Sequence, residues 1–239
     1  MANTVLLNNV DHHDLRVVTG HGAEFGDSVN QVLIFPTEFE AVQREYPIFF
    51  RQDASGEFQA VALLGLDRDE NLFLGDDRWQ GRYIPAVQQR GPFSIGLQAA
   101  DAESGAVIHV DLGHPRIDAT GEAVFLPHGG NSPYLNHIAG VLRTIYTGIE
   151  SAPAMFAAFA ALDLIQPVAV DIRLADARQY MLPDLYTIGQ DRFSGLGGDD
   201  LGLLHRQGFL AAALWALSSL GNVERLIELK TARLGSAQR

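Results

Sequence analysis

Two residue types with metal-binding chemistry stand one position apart in the triplet His109-Val110-Asp111. Alternate residues of a strand point to the same face, so His109 and Asp111 would present an imidazole and a carboxylate side by side. A later histidine, His205, would complete the two-histidine, one-carboxylate set that holds iron in non-haem oxygenases. The triplet therefore predicts a candidate iron site. The alternative is that His109 and Asp111 form the solvent face of a strand whose Val110 and Leu112 face the core.

Basic and aromatic side chains are concentrated in a second segment of an otherwise acidic chain. Arginine beside tryptophan or tyrosine can hold an anionic or planar group by paired hydrogen bonds and by stacking. The predicted ligand-binding residues are Arg78, Trp79, Arg82, Tyr83 and Arg90. The alternative is a structural role, in which Trp79 and Tyr83 anchor a loop to the core while the arginines pair with Asp76 and Asp77.

Several easily recognised chemistries are excluded by what the sequence lacks. It contains no cysteine, which rules out disulfides, thiolate nucleophiles and cysteine-ligated metals. It also lacks a dinucleotide-binding glycine motif, a Walker loop, a nucleophile elbow and the HExxH zinc motif. Asp67, Asp69 and Asn71 resemble the start of a calcium loop, but Leu72 and Arg78 occupy the positions where that loop needs Gly and Glu. A hairpin turn is the better interpretation of this run.

The net charge restricts the partners that this chain can take. With 29 acidic and 17 basic side chains among 239 residues, the formal charge is −12. Such a charge repels a phosphate backbone and argues against nucleic-acid binding. No stretch approaches the roughly 20 apolar residues that span a bilayer, and the first residues lack the pattern of a signal peptide. We therefore expect no membrane partner and a cytoplasmic location.

The elements that would position these residues follow a repeated order of helix, proline, strand, turn and strand. Pro47, Pro92 and Pro167 each separate a helical segment from a strand. The predicted hairpins join 48–51 to 58–66, 93–97 to 106–112, and 168–174 to a strand that begins at 179, with Pro183 at an edge or a bulge. Stacked hairpins of this kind predict an antiparallel-rich sheet with helices packed on it. The alternative is an accidental likeness, because turns commonly carry Asp, Ser and Gly.

Helical patterns dominate the second half of the chain. Ser132 is predicted to cap, and Pro133 to begin, a helix over 133–146, while Ser151 is predicted to cap a separate helix through 162. Helical spacing from 201 to about 234 predicts two terminal helices with a break near Gly221. The first of them is apolar on nearly every face, which indicates a core helix or a partner surface.

These patterns together predict an α+β fold in a single domain, 1–239. We divide it into an N-terminal arm (1–30), a strand-rich part (31–130) and a helix-rich part with one further hairpin (131–239). The apolar share of 47% is typical of a folded protein of this kind.

Short blocks spread over most of the chain also point to a family. They are FPTEF at 35–39, EYPIFF at 45–50, ALLGL at 62–66, NLFL at 71–74, Trp79, YIPA at 83–86, GPF at 91–93, GFL at 208–210, SSL at 218–220 and Arg225-Leu226. In order and spacing they resemble the bacterial SapC family, named for an association with surface-array (S-layer) proteins. The resemblance implies no catalytic residues, because the family has no catalytic signature. The composition is not that of a Thr- and Asn-rich lattice protein, so we do not expect a lattice-forming role.

Two hypotheses follow from the sequence. The leading one is a non-catalytic, cytoplasmic binding or accessory protein without a cofactor, which self-associates through its C-terminal helices and binds a protein or small molecule near 79–90. The alternative is a non-haem oxygenase with iron at His109, Asp111 and His205.

Overall fold

The computed structural model describes residues 3–75, 78–96, 107–174 and 178–237 as a mixture of helices and antiparallel strands. The strands are β1 (Thr4–Leu6), β2 (Arg16–Val17), β3 (Gln31–Ile34), β4 (Ile48–Gln52), β5 (Phe58–Leu63), β6 (Phe93–Gly96), β7 (Val107–Asp111), β8 (Glu122–Ala123), β9 (Ile165–Arg173) and β10 (Gln179–Ile188). The helices are α1 (Phe39–Val42), α2 (Ala86–Gln89), α3 (Pro133–Ala161), α4 (Gln190–Ser194), α5 (Gly198–Gln207), α6 (Leu210–Ser219) and α7 (Asn222–Ala237). The predicted α+β class is confirmed.

The three predicted hairpins are present, but they do not stack into one sheet. The first and third, β4–β5 and β9–β10, share a five-stranded sheet of order β3-β5-β4-β10-β9, joined where Tyr186 pairs with Phe50. The second, β6–β7, lies in a separate three-stranded sheet of order β1-β7-β6. The N-terminal strand β1 occupies the other edge of β7, with Val5 opposite Val110. The expectation of one sheet was wrong because β7 is paired on both sides inside its own sheet.

The two prolines of the third hairpin sit where a strand tolerates them. Pro167 lies inside β9, opposite Tyr186, and does not separate the strand from a helix as predicted. β9 is an edge strand with no neighbour on its open side. A proline, which lacks a backbone N–H, is therefore tolerated there. Pro183 falls at the register shift between Leu182 and Leu185, which confirms the predicted bulge. The predicted turns at 101–105 and 175–178 lie wholly or mostly outside the described residues.

The middle of the chain forms one helix where we expected two. Ser132 caps α3 as predicted, because its side chain accepts a hydrogen bond of 3.1 Å from the N–H of Leu135. Ser151 is not a cap, since it lies inside α3 and donates to the carbonyl of Gly148 at 3.2 Å. Pro153 also lies inside α3, although an interior proline costs about 3 kcal/mol. Burial of Met155, Phe156 and Phe159 beyond it offsets that penalty.

The C-terminal helices follow the prediction at one break and depart from it at another. Only Leu220 and Gly221 separate α6 from α7, close to the expected interruption. A further break at Gly208, which has φ +81°, sets α5 apart from α6. The positive φ there favours glycine, which therefore ends α5. Among the described residues, no helix is long and apolar enough to cross a membrane.

The helix α3 connects two hydrophobic cores. Its first half places Leu135, Ile138 and Leu142 in the core of the three-stranded sheet. Its second half places Phe156 and Phe159 in the larger core of the five-stranded sheet. The chain segments that lie beside α3 between these cores form the junction described next.

Candidate functional site

A buried ion pair holds the junction together. Asp27 and Arg116 are 1% and 4% exposed, and Arg116 Nη2 donates to Asp27 Oδ2 at 2.8 Å. The same carboxylate oxygen lies 3.0 Å from His21 Nδ1 and accepts the N–H of Gly22 at 3.0 Å. Arg116 also donates through Nη1 to the carbonyls of Val18 and Gly20. Its guanidinium is therefore held by the protein itself.

Local backbone geometry positions Asp27 for these contacts. A short 3₁₀ turn, Ala23–Phe25, is followed by Gly26 at φ +82°, so the chain folds back and brings Asp27 over the N–H of Gly22. Asn71 fixes the next peptide by donating to the carbonyl of Asp27 at 2.9 Å. The Phe25 ring lies 4.5 Å from the guanidinium carbon of Arg116, a cation–π contact. The sequence between 20 and 27 thus builds one wall of the junction.

The charge balance at Asp27 favours its ionised form. Burial alone would raise the pKa of this carboxyl, but the hydrogen bond to His21, the charge of Arg116 and the N–H of Gly22 together hold the pKa below its ordinary value. Asp27 and Arg116 therefore form a neutral unit in the interior. The second carboxylate oxygen, Oδ1, is buried and has no hydrogen-bond partner among the described residues.

A cavity of about 220 Å³ opens beside this ion pair, and we call it the junction pocket. Its walls come from the N-terminal arm, the α2 region, the segment before β8 and the start of α3. The lining residues are Val18, Thr19, His21, Ile84, Gln88, Gln89, Gly91, Arg116, Tyr134, His137 and Ile138. The pocket therefore lies where four separate parts of the sequence meet.

Uncharged polar groups dominate the hydrogen-bonding capacity of the junction pocket. Burial raises the pKa of Tyr134 to about 12, against the opposing effect of Arg116, so its phenol is neutral at physiological pH. His137 Nε2 lies 3.1 Å from Gln89 Oε1 and so carries the proton toward that oxygen. In the part of the chain that the structure describes, the side chain of Gln88, the hydroxyl of Tyr134 and Nε2 of His21 have no protein partner.

A second buried hydrogen-bond network holds the segment 79–90, which was predicted to bind a ligand. Trp79 Nε1 donates to Tyr46 Oη at 2.8 Å, and Tyr46 Oη donates to the carbonyl of Tyr83 at 2.5 Å. Tyr83 Oη donates at 2.8 Å to Glu38 Oε1, which also accepts the N–H of Ala86 at 2.7 Å. Trp79 and Tyr83 thus anchor this segment to the core, which is the structural alternative considered above.

Burial dominates the protonation equilibria of this second network. It raises the pKa of Glu38, although hydrogen bonds from the N–H groups of Ala86 and Phe35 and from the Tyr83 hydroxyl partly oppose it. It also raises the pKa values of Tyr46 and Tyr83, the latter helped by the charge of Glu38. Both phenols are therefore neutral hydrogen-bond donors.

The predicted arginines do not meet at one point. Arg78 and Arg82 are exposed, whereas Arg90 is half-buried and donates to the carbonyl of Phe93 at 2.8 Å. Arg82 faces a groove beside α7, away from the residues that line the junction pocket. The predicted partners Asp76 and Asp77 lie outside the described residues.

The predicted iron ligands lie in two different parts of the fold. His109 and Asp111 share a face of β7, as the strand pattern predicted, with Val110 buried between them. Asp111 Oδ1 accepts the N–H groups of Asn3 and Gly113, each at 3.0 Å. His205 is an exposed residue of α5, next to Leu204 in the core of the other sheet. Within the described ranges, no three His, Asp or Glu residues are grouped so that they could hold a metal ion.

Most residues of the junction were not predicted from the sequence. Asp27 and Arg116 are 89 positions apart, and neither belongs to a recognisable motif. The one usable signal was composition, since the turn from 20 to 27 carries three glycines with a histidine and an aspartate. Such a turn predicts backbone reversal, but not the partner that its carboxylate will meet.

A family model, SapC, matches residues 7–226. No curated protein and no solved structure matches the chain. The match includes the five-stranded sheet, β6 and β7, the junction, α5, α6 and the first residues of α7, and it agrees with the sequence blocks quoted above. The chain therefore belongs to the SapC family.

Proposed function

We propose that this protein binds a small, neutral, polar ligand in the junction pocket. The observation that carries the proposal is that polar groups without a protein partner, from Gln88, Tyr134 and His21, line one cavity. Concave sites with a few convergent polar groups on an apolar wall are typical of small-molecule binding. Val18, Ile84 and Ile138 supply such a wall.

The charges around the pocket favour a ligand without net charge. Arg116 is the only Lys or Arg side chain in the lining, and its donors already meet Asp27 and two backbone carbonyls. An anion would compete with Asp27 for the guanidinium, and a cation would lie beside it. Either would place an unpaired charge beside the buried Asp27–Arg116 pair, which is unfavourable.

The protonation states indicate which groups the ligand carries. His21 Nδ1 faces the Asp27 carboxylate, so a neutral His21 presents Nε2 as an acceptor. Tyr134 supplies a hydroxyl, and Gln88 supplies both a donor and an acceptor. A primary amide or an alcohol next to a carbonyl matches this set. A cavity of about 220 Å³ is smaller than the ~300–1,000 Å³ of drug-sized pockets, so the ligand is small.

The same geometry favours binding over catalysis. Arg116 and His21 both contact the same carboxylate oxygen of Asp27. This carboxylate is therefore paired with a guanidinium and does not serve His21 alone, as it would in a catalytic His–Asp pair. Tyr134 and Thr19 supply the hydroxyls of the lining, and burial raises the pKa of Tyr134 to about 12. A phenol with a raised pKa is a weak nucleophile and a good neutral donor.

A thermal-shift screen of neutral amide and alcohol fragments tests this proposal. We expect fragments that stabilise the unmodified protein to bind about three- to tenfold more weakly to Tyr134→Phe and Gln88→Ala, since each loses one hydrogen bond. Arg143→Ala, a change at an exposed position of α3, is the control and should bind normally. The proposal is wrong if no neutral fragment stabilises the protein, or if both pocket variants bind as well as the control.

We also propose that two copies associate through α5 and α6. Leu203 and Leu214 are 39% and 47% exposed on these neighbouring helices, which supports an apolar contact surface. Light scattering on the purified protein should give a dimer, and Leu214→Glu should give a monomer. A monomer at all concentrations of the unmodified protein would exclude this contact.

A further inference from the structure

A groove of about 730 Å³ lies between the end of α1, the segment 80–83 and α7, on a different set of residues from the junction pocket. Arg44, Arg82 and Arg225 line it, each from a different part of the fold. The floor is apolar, made by Leu72, Phe73 and Leu229. We call it the arginine groove. Three arginines around one concavity are unexpected in a chain with a formal charge of −12.

The acidic group inside the groove, Glu45, is bound to backbone N–H groups and not to a guanidinium. Both of its carboxylate oxygens accept the backbone N–H of Arg82, at 2.9 and 2.7 Å, and one accepts that of Tyr83 at 3.4 Å. Glu45 therefore fixes the backbone of the segment 80–83. The guanidinium of Arg82 has no partner among the described residues.

The other two arginines are held only by exposed ion pairs. Arg44 Nη2 lies 2.6 Å from Glu40 Oε1, and Arg225 Nη1 lies 3.1 Å from Glu228 Oε2, with all four side chains more than half exposed. Exposed pairs of this kind contribute little to stability, so both arginines can turn to a ligand at small penalty. The groove can thus offer up to three guanidinium groups above an apolar floor.

We infer that the arginine groove binds an organic anion, one that carries a phosphate or carboxylate group on an apolar body. Guanidinium groups bind such oxyanions through paired, charge-assisted hydrogen bonds. The apolar body would cover Leu72, Phe73 and Leu229. This site is independent of the neutral-ligand pocket, because the two linings share no residue.

Titration calorimetry with matched probes tests the inference: phenyl phosphate has both features, inorganic phosphate only the charge, and phenol only the ring. We expect phenyl phosphate to bind at least about tenfold more tightly than either, and its affinity to fall as NaCl is raised. Equal binding of benzoate would extend the ligand class to carboxylates, and weaker binding would favour phosphates; both outcomes are consistent with the inference.

Variants locate the binding. Arg82→Ala and Arg225→Ala should each weaken phenyl phosphate by about tenfold, and Arg82→Lys by less, because it keeps the charge and loses the paired geometry. Both positions are exposed, so circular dichroism should show unchanged folding. Arg143→Ala removes one charge away from the groove and should bind normally. The inference would be overturned if neither phenyl phosphate nor benzoate binds, or if the Arg82→Ala, Arg225→Ala double variant binds phenyl phosphate with unchanged affinity.

Discussion

Two carboxyl groups with the same burial are stabilised in opposite ways in this chain. Asp27 and Glu38 are each 1% exposed. Asp27 meets Arg116 and His21, and its pKa is lowered. Glu38 meets only neutral donors, from Phe35, Tyr83 and Ala86, and its pKa is raised. Equal burial therefore gives opposite protonation behaviour, and the nature of the partners decides between them.

The difference assigns different tasks to the two networks. The Glu38 network joins Trp79, Tyr83 and Ala86 to the core, and the donors of these three residues are paired within it. The Asp27 network lies next to the junction pocket, and within it the charge of Arg116 balances that of Asp27. The uncharged polar groups of the pocket are therefore available for a ligand. The edge of the His21 ring contacts Trp79, with centroids 5.7 Å apart, which connects the two networks.

The largest effect is expected from neutralising the paired carboxylate. Asp27→Asn leaves the guanidinium of Arg116 buried without a counter-charge, which should lower the free energy of unfolding by about 3–5 kcal/mol. Urea unfolding at pH 7 measures it. Asp14→Ala, at an exposed acidic position, is the control and should change stability by less than about 0.5 kcal/mol. A loss below about 1 kcal/mol for Asp27→Asn would show that the pair is not buried as described.

A smaller loss is expected where one neutral donor is removed. Tyr83→Phe keeps the ring but deletes the hydroxyl that donates to Glu38 at 2.8 Å. We expect about 1–2 kcal/mol less stability at pH 7, because the buried carboxyl of Glu38 is left with one hydrogen bond fewer. Tyr146→Phe, at a position where the phenol contacts only Glu150 on the helix surface, is the matched control. Equal stability of the two variants would contradict the buried hydrogen bond.

The smallest change at neutral pH is expected for the unpaired carboxylate. Glu38→Gln removes a carboxyl whose ionised form burial disfavours but loses one acceptor, because the amide nitrogen cannot accept the N–H of Phe35. These effects oppose each other, so the unfolding free energy should change by no more than about 1 kcal/mol. Chemical unfolding beside Asp27→Asn gives the direct comparison. A loss as large as that of Asp27→Asn would mean that Glu38 has a hidden cationic partner.

The pH dependence of stability separates the two carboxylates by sign. The pKa of Glu38 is raised above its ordinary 4.5, so its contribution is present below that pH and is lost as the pH rises through the folded-state pKa. The pKa of Asp27 is lowered from 3.8, so its contribution is present above that pH and is lost as the pH falls. Glu38→Gln should therefore flatten the decline in stability above about pH 4.5. An unchanged slope in that variant would contradict the raised pKa.

Local sequence signals predicted the parts of the fold that depend on neighbouring residues. Ser132 and Pro133 marked the start of α3, the break before α7 fell near Gly221, and Pro183 marked the bulge in β10. The continuation of α3 through Pro153 was not predictable in this way, because it depends on the core contacts of Met155, Phe156 and Phe159. Long-range packing there outweighs a local helix-breaking signal.

The candidate site was less predictable than the fold. The segment 79–90 was predicted to bind a ligand, and its Trp79 and Tyr83 donate hydrogen bonds that anchor it to the core, which is the structural alternative. The junction needs His21, Asp27, Arg116 and Tyr134, which come together only when the N-terminal arm packs against α3. No spacing rule links positions so far apart, and the charge neutrality of the pocket depends on their pairing.

The most direct test of the account compares ligands of one shape and three charges. Benzamide, benzoate and benzamidine are titrated into the protein while the imidazole signals of His21 and His137 are followed by NMR, since these rings line the junction pocket and not the arginine groove. We expect benzamide to shift both signals at concentrations at least about tenfold lower than its charged analogues, because only the neutral ligand leaves the Asp27–Arg116 pair undisturbed. Equal or tighter binding of benzoate or benzamidine at these histidines, or no effect of benzamide, would contradict it.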